Sequence, residues 1–400
     1  MTCAPAANLS EAGSVLQIEL VESLDGLDAL TPAWLELLEL GASGYSVHND
    51  PRMIADQTKL DPNQEILIFV IRQGKQLVCV APFRVCREQF RMALSVWTLN
   101  VASARVLRLI GDEVVLDRAA NWSECVSLVL QELKSRRDEF DYWDISGATW
   151  YDDWVANRRK GDRRDGFLRP MIVRRTVNHR IQLPQTADEY CAMLSPSTRQ
   201  NLRRTTRRFL EKNNGRIVKC STPDDVPRLL DWTQQIRANS WQGRTFSRLD
   251  SGCDSLRDLL AEIAKHGWLR SYVLFDGDQP VAYEHGYVYR HTYYGLECAY
   301  DSRWISAGPG SIVLFLAIQD LIEKESTNTL DFGVGDMPYK QTFGNWRQDL
   351  TALRLVPANA WRFAFAVQQW VDSIEIQFRR LLVYFHVDRL VRTWVKRKRS

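Results

Sequence analysis

The 400-residue sequence has no long hydrophobic run. Its longest strictly apolar stretch, Ile312–Ile318, is seven residues, far short of the roughly 20 that a bilayer-spanning helix requires. The first 15 residues hold no Lys or Arg and no apolar core, so no secretory signal is expected. Eight cysteines are scattered without a single C-x-x-C pair, which argues against a zinc ribbon or a dense disulfide framework. No G-x-S-x-G elbow is present, which argues against hydrolase chemistry. His285 and His291 have no Cys or carboxylate companions at metal-ligand spacing, so no metal is expected. What is there is ordinary globular material: 45% hydrophobic and 25% charged residues exclude a disordered or collagen-like chain. A reduced, cytoplasmic compartment is the expectation.

A formal net charge of +3 hides an uneven distribution. Residues 1–60 carry 2 basic and 9 acidic side chains, residues 151–220 carry 17 and 7, and residues 361–400 carry 9 and 3. A basic middle and a basic end suit anionic partners such as phosphates, acidic glycans or a lipid surface.

The sequence also repeats itself. Ile66–Phe83 reads as two apolar runs about a Gly-Lys turn, a hairpin pattern. Setting Gly74 on Gly277 also pairs Val70 with Val273, Gln76 with Gln279 and Val78 with Val281. Downstream, Ser127–Gly147 resembles Phe315–Gly335: a helix-period segment, then a short strand beginning near Asp144 or Asp331. Two copies of one α/β unit are predicted. Residues 1–150 form the first copy, 151–189 a linker or long loop, 190–357 the second copy, and 358–400 a basic amphipathic helix. The copies differ ahead of their second helix. The later one reads SAGPGS (Ser306–Ser311), whereas the earlier reads DRAANWSE, with no glycine. Two glycines before a helix let backbone N–H groups and the positive end of the helix dipole approach a diphosphate.

In order, Arg199–Arg208 (RQNLRRTTRR), Gly277–Ala282 (GDQPVA), Ala307–Ser311 (AGPGS) and Asp331–Lys340 (DFGVGDMPYK) resemble the GNAT acetyltransferases, and more closely the CelD/BcsL-type acetyltransferases of cellulose and exopolysaccharide production. The resemblance covers residues 190–350 well and the first copy more weakly. It implies tandem GNAT-like units, each a mixed, mostly antiparallel sheet flanked by helices. It also implies acetyl-CoA or another acyl-CoA as donor and an amine or hydroxyl acceptor on a sugar, nucleotide-sugar or small metabolite. The CoA diphosphate would rest on Ser306, Ala307, Gly308, Pro309, Gly310 and Ser311. Ile305 stands where the usual loop has Gln or Arg, with Arg303 two residues earlier. Tyr339 occupies the place of the tyrosine that protonates the departing thiolate.

An amine attacks a thioester only after losing a proton, which a carboxylate can take. Glu284 and Glu297 lie on predicted interior strands, where a glutamate is unusual. By strict alternation Glu284 shares a face with Ala282 and Gly286, and Glu297 with Tyr293 and Gly295. Either is a candidate base, and the small neighbours favour Glu284. Arg199, Arg203, Lys340 and Asp331 are candidates for contact with an anionic substrate group, although Asp331 equally suits capping a backbone turn. Cys298 reads as a small buried hydrophobe. Tandem GNAT-like units also occur in FemAB-type transferases, which take their acyl group from charged tRNA, and this is the alternative. DNA is not an expected partner. The C-terminal helix with its KRKR end offers a peripheral membrane contact.

Overall fold

The structure, a computed structural model, describes residues 15–41, 45–61, 64–94, 97–111, 113–148, 168–212, 214–240, 253–357 and 361–371. The chain divides into two compact units. One comprises residues 1–42, 57–174 and 351–400; the other comprises residues 43–56 and 175–350.

Up to residue 148 the element order is β1 (Leu16–Val21), α1 (Leu24–Leu40), α2 (Pro51–Leu60), β2 (Ile66–Gln73), β3 (Gln76–Leu94), β4 (Trp97–Leu109), the two-residue β5 (Val115–Leu116), α3 (Trp122–Ser135) and β6 (Tyr142–Ala148), all in the first unit except residues 51–56 of α2, which belong to the second. The strands run in the order β1-β2-β3-β4-β6, and the 351–357 part of β13 (Trp346–Pro357) closes the series beside β6. All neighbours are antiparallel except β4 and β6. The crossover α3 makes that parallel pair possible. β2 is buried over its first six residues, the mark of a strand covered on both faces. Its Leu67, Phe69 and Ile71 meet Cys125, Val129 and Leu133 of α3.

The second unit repeats this plan. β8 (Gly215–Cys220) is followed by α6 (Val226–Asn239), α7 (Cys253–Lys265), β9 (Ser271–Asp276), β10 (Gln279–Tyr289), β11 (Thr292–Tyr300), α8 (Pro309–Lys324) and β12 (Thr329–Val334). The strand order β8-β9-β10-β11-β12 ends on the 175–182 part of β7 (Leu168–Gln182). Again one pair is parallel, β11 with β12, across the helix α8. Hairpin, third strand, crossover helix and parallel strand therefore occur twice, as the internal repeat predicts. Each copy is larger than the repeat suggests, with a leading strand and an antiparallel closing strand.

Leu168–Gln182 is a strand, which corrects the expectation of a loop throughout 151–189. Between it and β8 lie α4 (Ala187–Met193) and α5 (Pro196–Lys212). One face of the second sheet packs against α4, α5 and α8 through Ile181, Tyr190, Leu202, Phe209, Leu274, Ala282, Tyr293, Ile312 and Phe315. The other packs against α6 and α7, with Val47 and Met53 joining Leu229, Ile236, Leu260, Val273, Phe275 and Tyr287. Of the predicted C-terminal helix, residues 361–371 are helical, and the remainder lies outside the described residues. No helix among the described residues is long and apolar enough to cross a membrane.

Candidate active site

The site is built where β11 and β12 part. Their parallel register runs from Thr292↔Thr329 to Tyr294↔Asp331 and stops. Asp331 helps stop it. One carboxylate oxygen accepts from Arg180 Nε (2.7 Å) and Asn178 Nδ2 (3.0 Å). The other accepts from the Gly333 N–H (2.7 Å), holding Gly333 at φ +66°, where glycine is favoured. Asp331 thus shapes the strand end, with its oxygens engaged by the protein.

Past the parting, Cys298 of β11 sits directly opposite Glu284 of β10. Its thiol donates to the Tyr339 hydroxyl oxygen at 3.6 Å, which leaves the phenolic proton free to point elsewhere. Tyr339 comes from the short helix α9 (Pro338–Phe343). The Glu284 side chain is buried, and burial raises its pKa to about 8 against the smaller opposing pull of Cys298 and the Lys340 ammonium. Burial also pushes the Cys298 thiol up to about 12 and raises the Tyr339 phenol. Gly295 keeps the approach to the carboxylate clear: a Cβ there would lie 3.1 Å from Glu284 Oε1. Tyr293, fully buried, adds a hydroxyl without a hydrogen-bond partner among the described residues, within electrostatic reach of Glu284 and Cys298.

Glu297 is elsewhere. β10 and β11 slip register between His285↔Glu297 and Gly286↔Gly295, so Leu296 is an extra residue and alternation reverses across it. Cys298, rather than Glu297, shares the face of Glu284, and Glu297 lies 3.6 Å from Arg237 of α6 on the opposite face. Lys340 is also not a substrate-facing lysine. Its buried ammonium donates to the carbonyls of Phe332 (2.7 Å), Gly333 (3.0 Å) and Val334 (3.1 Å), using all three of its protons to hold the free end of β12.

On the same face as Glu284, a cleft of about 790 Å³ lies at the amino end of α8. Ser306, Ala307, Gly308 and Ser311 line it, with Thr342 and Phe343 of α9 and Asn201, Arg204, Thr205 and Arg208 of α5. Gly308 adopts φ +67° with open space where a Cβ would be, and Gly310 packs so that a Cβ would sit 3.1 Å from the Tyr300 ring. Pro309 is buried against the core and lacks an N–H. Ser311 and Ile312 both donate to Gly308 O (3.1 and 3.2 Å). Few loop N–H groups therefore remain unpaired at this helix end. α5 brings positive charge to the cleft by its helical phase. Leu202, Thr206 and Phe209 face inward, Arg204 and Arg208 flank the cleft, and Arg203 turns to the other side, where it pairs with Asp188 at 2.8 Å. Neither Arg199 nor Arg203 lines the cleft among the described residues. Arg303 is held by the buried Asp301. The contrast with the first unit is sharp: at the start of α3 the Asn121 side chain accepts from Ser123 and Glu124 N–H groups (3.1 and 3.4 Å), and an acidic residue occupies the first turn. That helix end is closed to anions; α8 has a bare glycine N-cap.

Residues 196–341 match the family described as "Acetyltransferase (GNAT) domain". The matched segment runs from α5 through the glycine loop to α9. No curated protein matches the chain in sequence. Among solved structures, FemX is 10% identical with a TM-score of 0.55, over 87% of this chain and 99% of that one. A tandem GNAT protein from the clavulanic acid biosynthesis pathway is 11% identical with a TM-score of 0.48, over 86% and 99%. A conserved protein of unknown function from Bacteroides thetaiotaomicron is 12% identical with a TM-score of 0.48, over 85% and 100%. At these identities the likeness is one of fold. Sequence reasoning reads α5 as a basic face and settles on Arg199 and Arg203 rather than Arg204 and Arg208, which share the same i,i+4 spacing; it missed Tyr293 and the Cys298 bridge.

Proposed function

We propose that the GNAT domain transfers an acyl group, acetyl in the first instance, from acyl-CoA to an amine or hydroxyl of a sugar, nucleotide-sugar or small metabolite, in the manner of the CelD/BcsL-type acetyltransferases of exopolysaccharide production. The observation that carries this reading is the cleft in which Gly308, Arg204 and Arg208 converge at the start of α8. α9 lines that cleft with Thr342 and Phe343 and presents Tyr339 to the Glu284–Cys298 pair.

In this reading the donor's diphosphate rests on the loop Ser306–Ser311 and on the two arginines, and the thioester lies in the parting of β11 and β12. Glu284, ionised, takes the proton of the acceptor. The acceptor nitrogen or oxygen attacks the thioester carbon, the carbon–sulfur bond breaks, and Tyr339 gives its proton to the sulfur. The first unit contributes scaffold or acceptor contacts. Residues 358–400 touch an anionic membrane surface, a reading supported by Phe363 and Trp370, which are 75% and 67% exposed and seven residues apart on the helix.

A second reading, transfer from an aminoacyl-tRNA in the FemAB manner, is supported by the fold shared with FemX and by the arginine-rich α5. Incubating the protein with acetyl-, longer acyl-CoA and aminoacyl-tRNA donors against amino sugars, nucleotide-sugars and amino acids, with products read by mass spectrometry, tests both. An acyl product from CoA thioesters supports the first reading; product only from charged tRNA replaces it with the second.

A further inference from the structure

One turnover of acyl transfer leaves Glu284 carrying the acceptor's proton and Tyr339 without its own. Neither group is then ready for the next turnover. A bare phenolate is also costly at this place, because burial raises the pKa of the Tyr339 phenol by disfavouring its charged form. The proton therefore has to pass from the carboxyl to the phenol, and Cys298 stands between them. It lies directly opposite Glu284 across β10 and β11, so the two side chains are nearest neighbours on one face. Its Sγ is 3.6 Å from the Tyr339 hydroxyl. A thiol both donates and accepts a proton, as a middle position requires.

The other polar groups at this place are unsuited to the task. The Lys340 ammonium gives its three protons to backbone carbonyls. The Tyr293 hydroxyl makes no hydrogen bond among the described residues. The energetic order also favours Cys298. Burial raises the thiol to about 12 and the Glu284 carboxyl to about 8, so a Cys298 thiolate takes the carboxyl's proton downhill.

We propose that Cys298 is a proton relay between Glu284 and Tyr339. As the carbon–sulfur bond of the donor breaks, Tyr339 gives its proton to the departing sulfur. The Cys298 thiol gives its proton to the Tyr339 oxygen, and the protonated Glu284 gives its proton to the Cys298 sulfur. In sum the acceptor's proton ends on the CoA thiol, while Glu284 returns to carboxylate, Cys298 to thiol and Tyr339 to phenol. The inference rests on the acyl-transfer reading and adds the return path of the proton.

Two measurements test it. Infrared difference spectra of the free protein, wild type minus Cys298→Ser, isolate the Cys298 S–H stretch. The same difference in a Tyr339→Phe background moves that band to higher frequency, because the thiol has lost its acceptor. Steady-state kinetics with acetyl-CoA then uses whichever amino sugar, nucleotide-sugar or amino acid gives product. Cys298→Ala lowers kcat about as far as Tyr339→Phe does, about 100-fold, with CoA affinity unchanged. The Cys298→Ala, Tyr339→Phe double variant is no slower than either single variant, as expected of groups that act as a unit. Cys298→Ser, which keeps a donor and an acceptor, recovers most of the rate. Wild-type kcat in Cys298→Ala, multiplying losses in the double variant, a serine variant no faster than alanine, or an S–H band unmoved by Tyr339→Phe overturns the relay and leaves the transferase reading standing. Absence of transfer from any CoA thioester overturns that reading instead, and the relay with it.

Discussion

Glu284→Gln separates proton transfer from the rest of the site, because glutamine keeps the shape of the side chain and cannot titrate. With its pKa near 8, Glu284 is about 10% ionised at pH 7 and about 90% at pH 9. The wild-type kcat/KM should therefore rise about tenfold across that interval and level off above it. The variant should be flat with pH and slower by a factor of about 10² to 10⁴ at pH 9, the usual worth of a positioned base. Stability gives an independent reading of the same group. A folded-state value above the ordinary 4.5 means that the folded protein holds this proton more tightly than the unfolded chain. The stabilisation is whole below pH 4.5 and is lost as pH rises through 8, to a total of about 5 kcal/mol. Relative to wild type, Glu284→Gln should therefore gain in Tm between pH 5 and pH 9. Stopped assays across pH and thermal melts across pH test both halves. A rate profile in the glutamine variant that still titrates near pH 8 would refute the assignment, since another group would then carry the proton.

Tyr339→Phe should lower kcat about 100-fold and leave CoA affinity alone; an unchanged kcat removes the phenol from the mechanism. Lys340→Met leaves three strand-end carbonyls without their donor. It should cost about 3 kcal/mol or more, seen as a Tm several degrees lower, and an unaltered melt would show that the ammonium does not hold β12. Vesicles rich in anionic lipid should float the full chain and leave a chain ending at residue 357 in the pellet fraction; equal behaviour of the two would remove the membrane contact.

Much of the second unit was legible because its signals are local. Pro after Ser195 starts α5, apolar alternation about Gly277 makes the β9–β10 hairpin, and a glycine pair marks the start of α8. The readings that failed depended on something non-local. The face of Glu297 was lost at one extra residue, Leu296, because a bulge reverses a period-two pattern without altering composition. Arg199 and Arg203 were chosen over Arg204 and Arg208 because a helix with five arginines has no readable phase until Leu202 and Phe209 are known to face the core. Lys340 looked like a substrate contact because a lysine that caps a strand end is set by the carbonyls of Phe332, Gly333 and Val334 folding back over it. Leu168–Gln182 looked like a loop because its arginines mask a strand whose partner is more than 140 residues away in sequence.

The central claim is that phosphate groups of the donor bind where Gly308 meets Arg204 and Arg208. Titration calorimetry with CoA and with pantetheine, on the wild type and on the Arg204→Gln, Arg208→Gln double variant, tests it most directly. The account predicts that CoA binds the wild type with an affinity that falls as salt rises, that pantetheine binds far more weakly, and that the double variant loses about 10-fold or more of the CoA affinity and most of its salt dependence. Equal CoA affinity in the double variant, or no preference for CoA over pantetheine in the wild type, would contradict it.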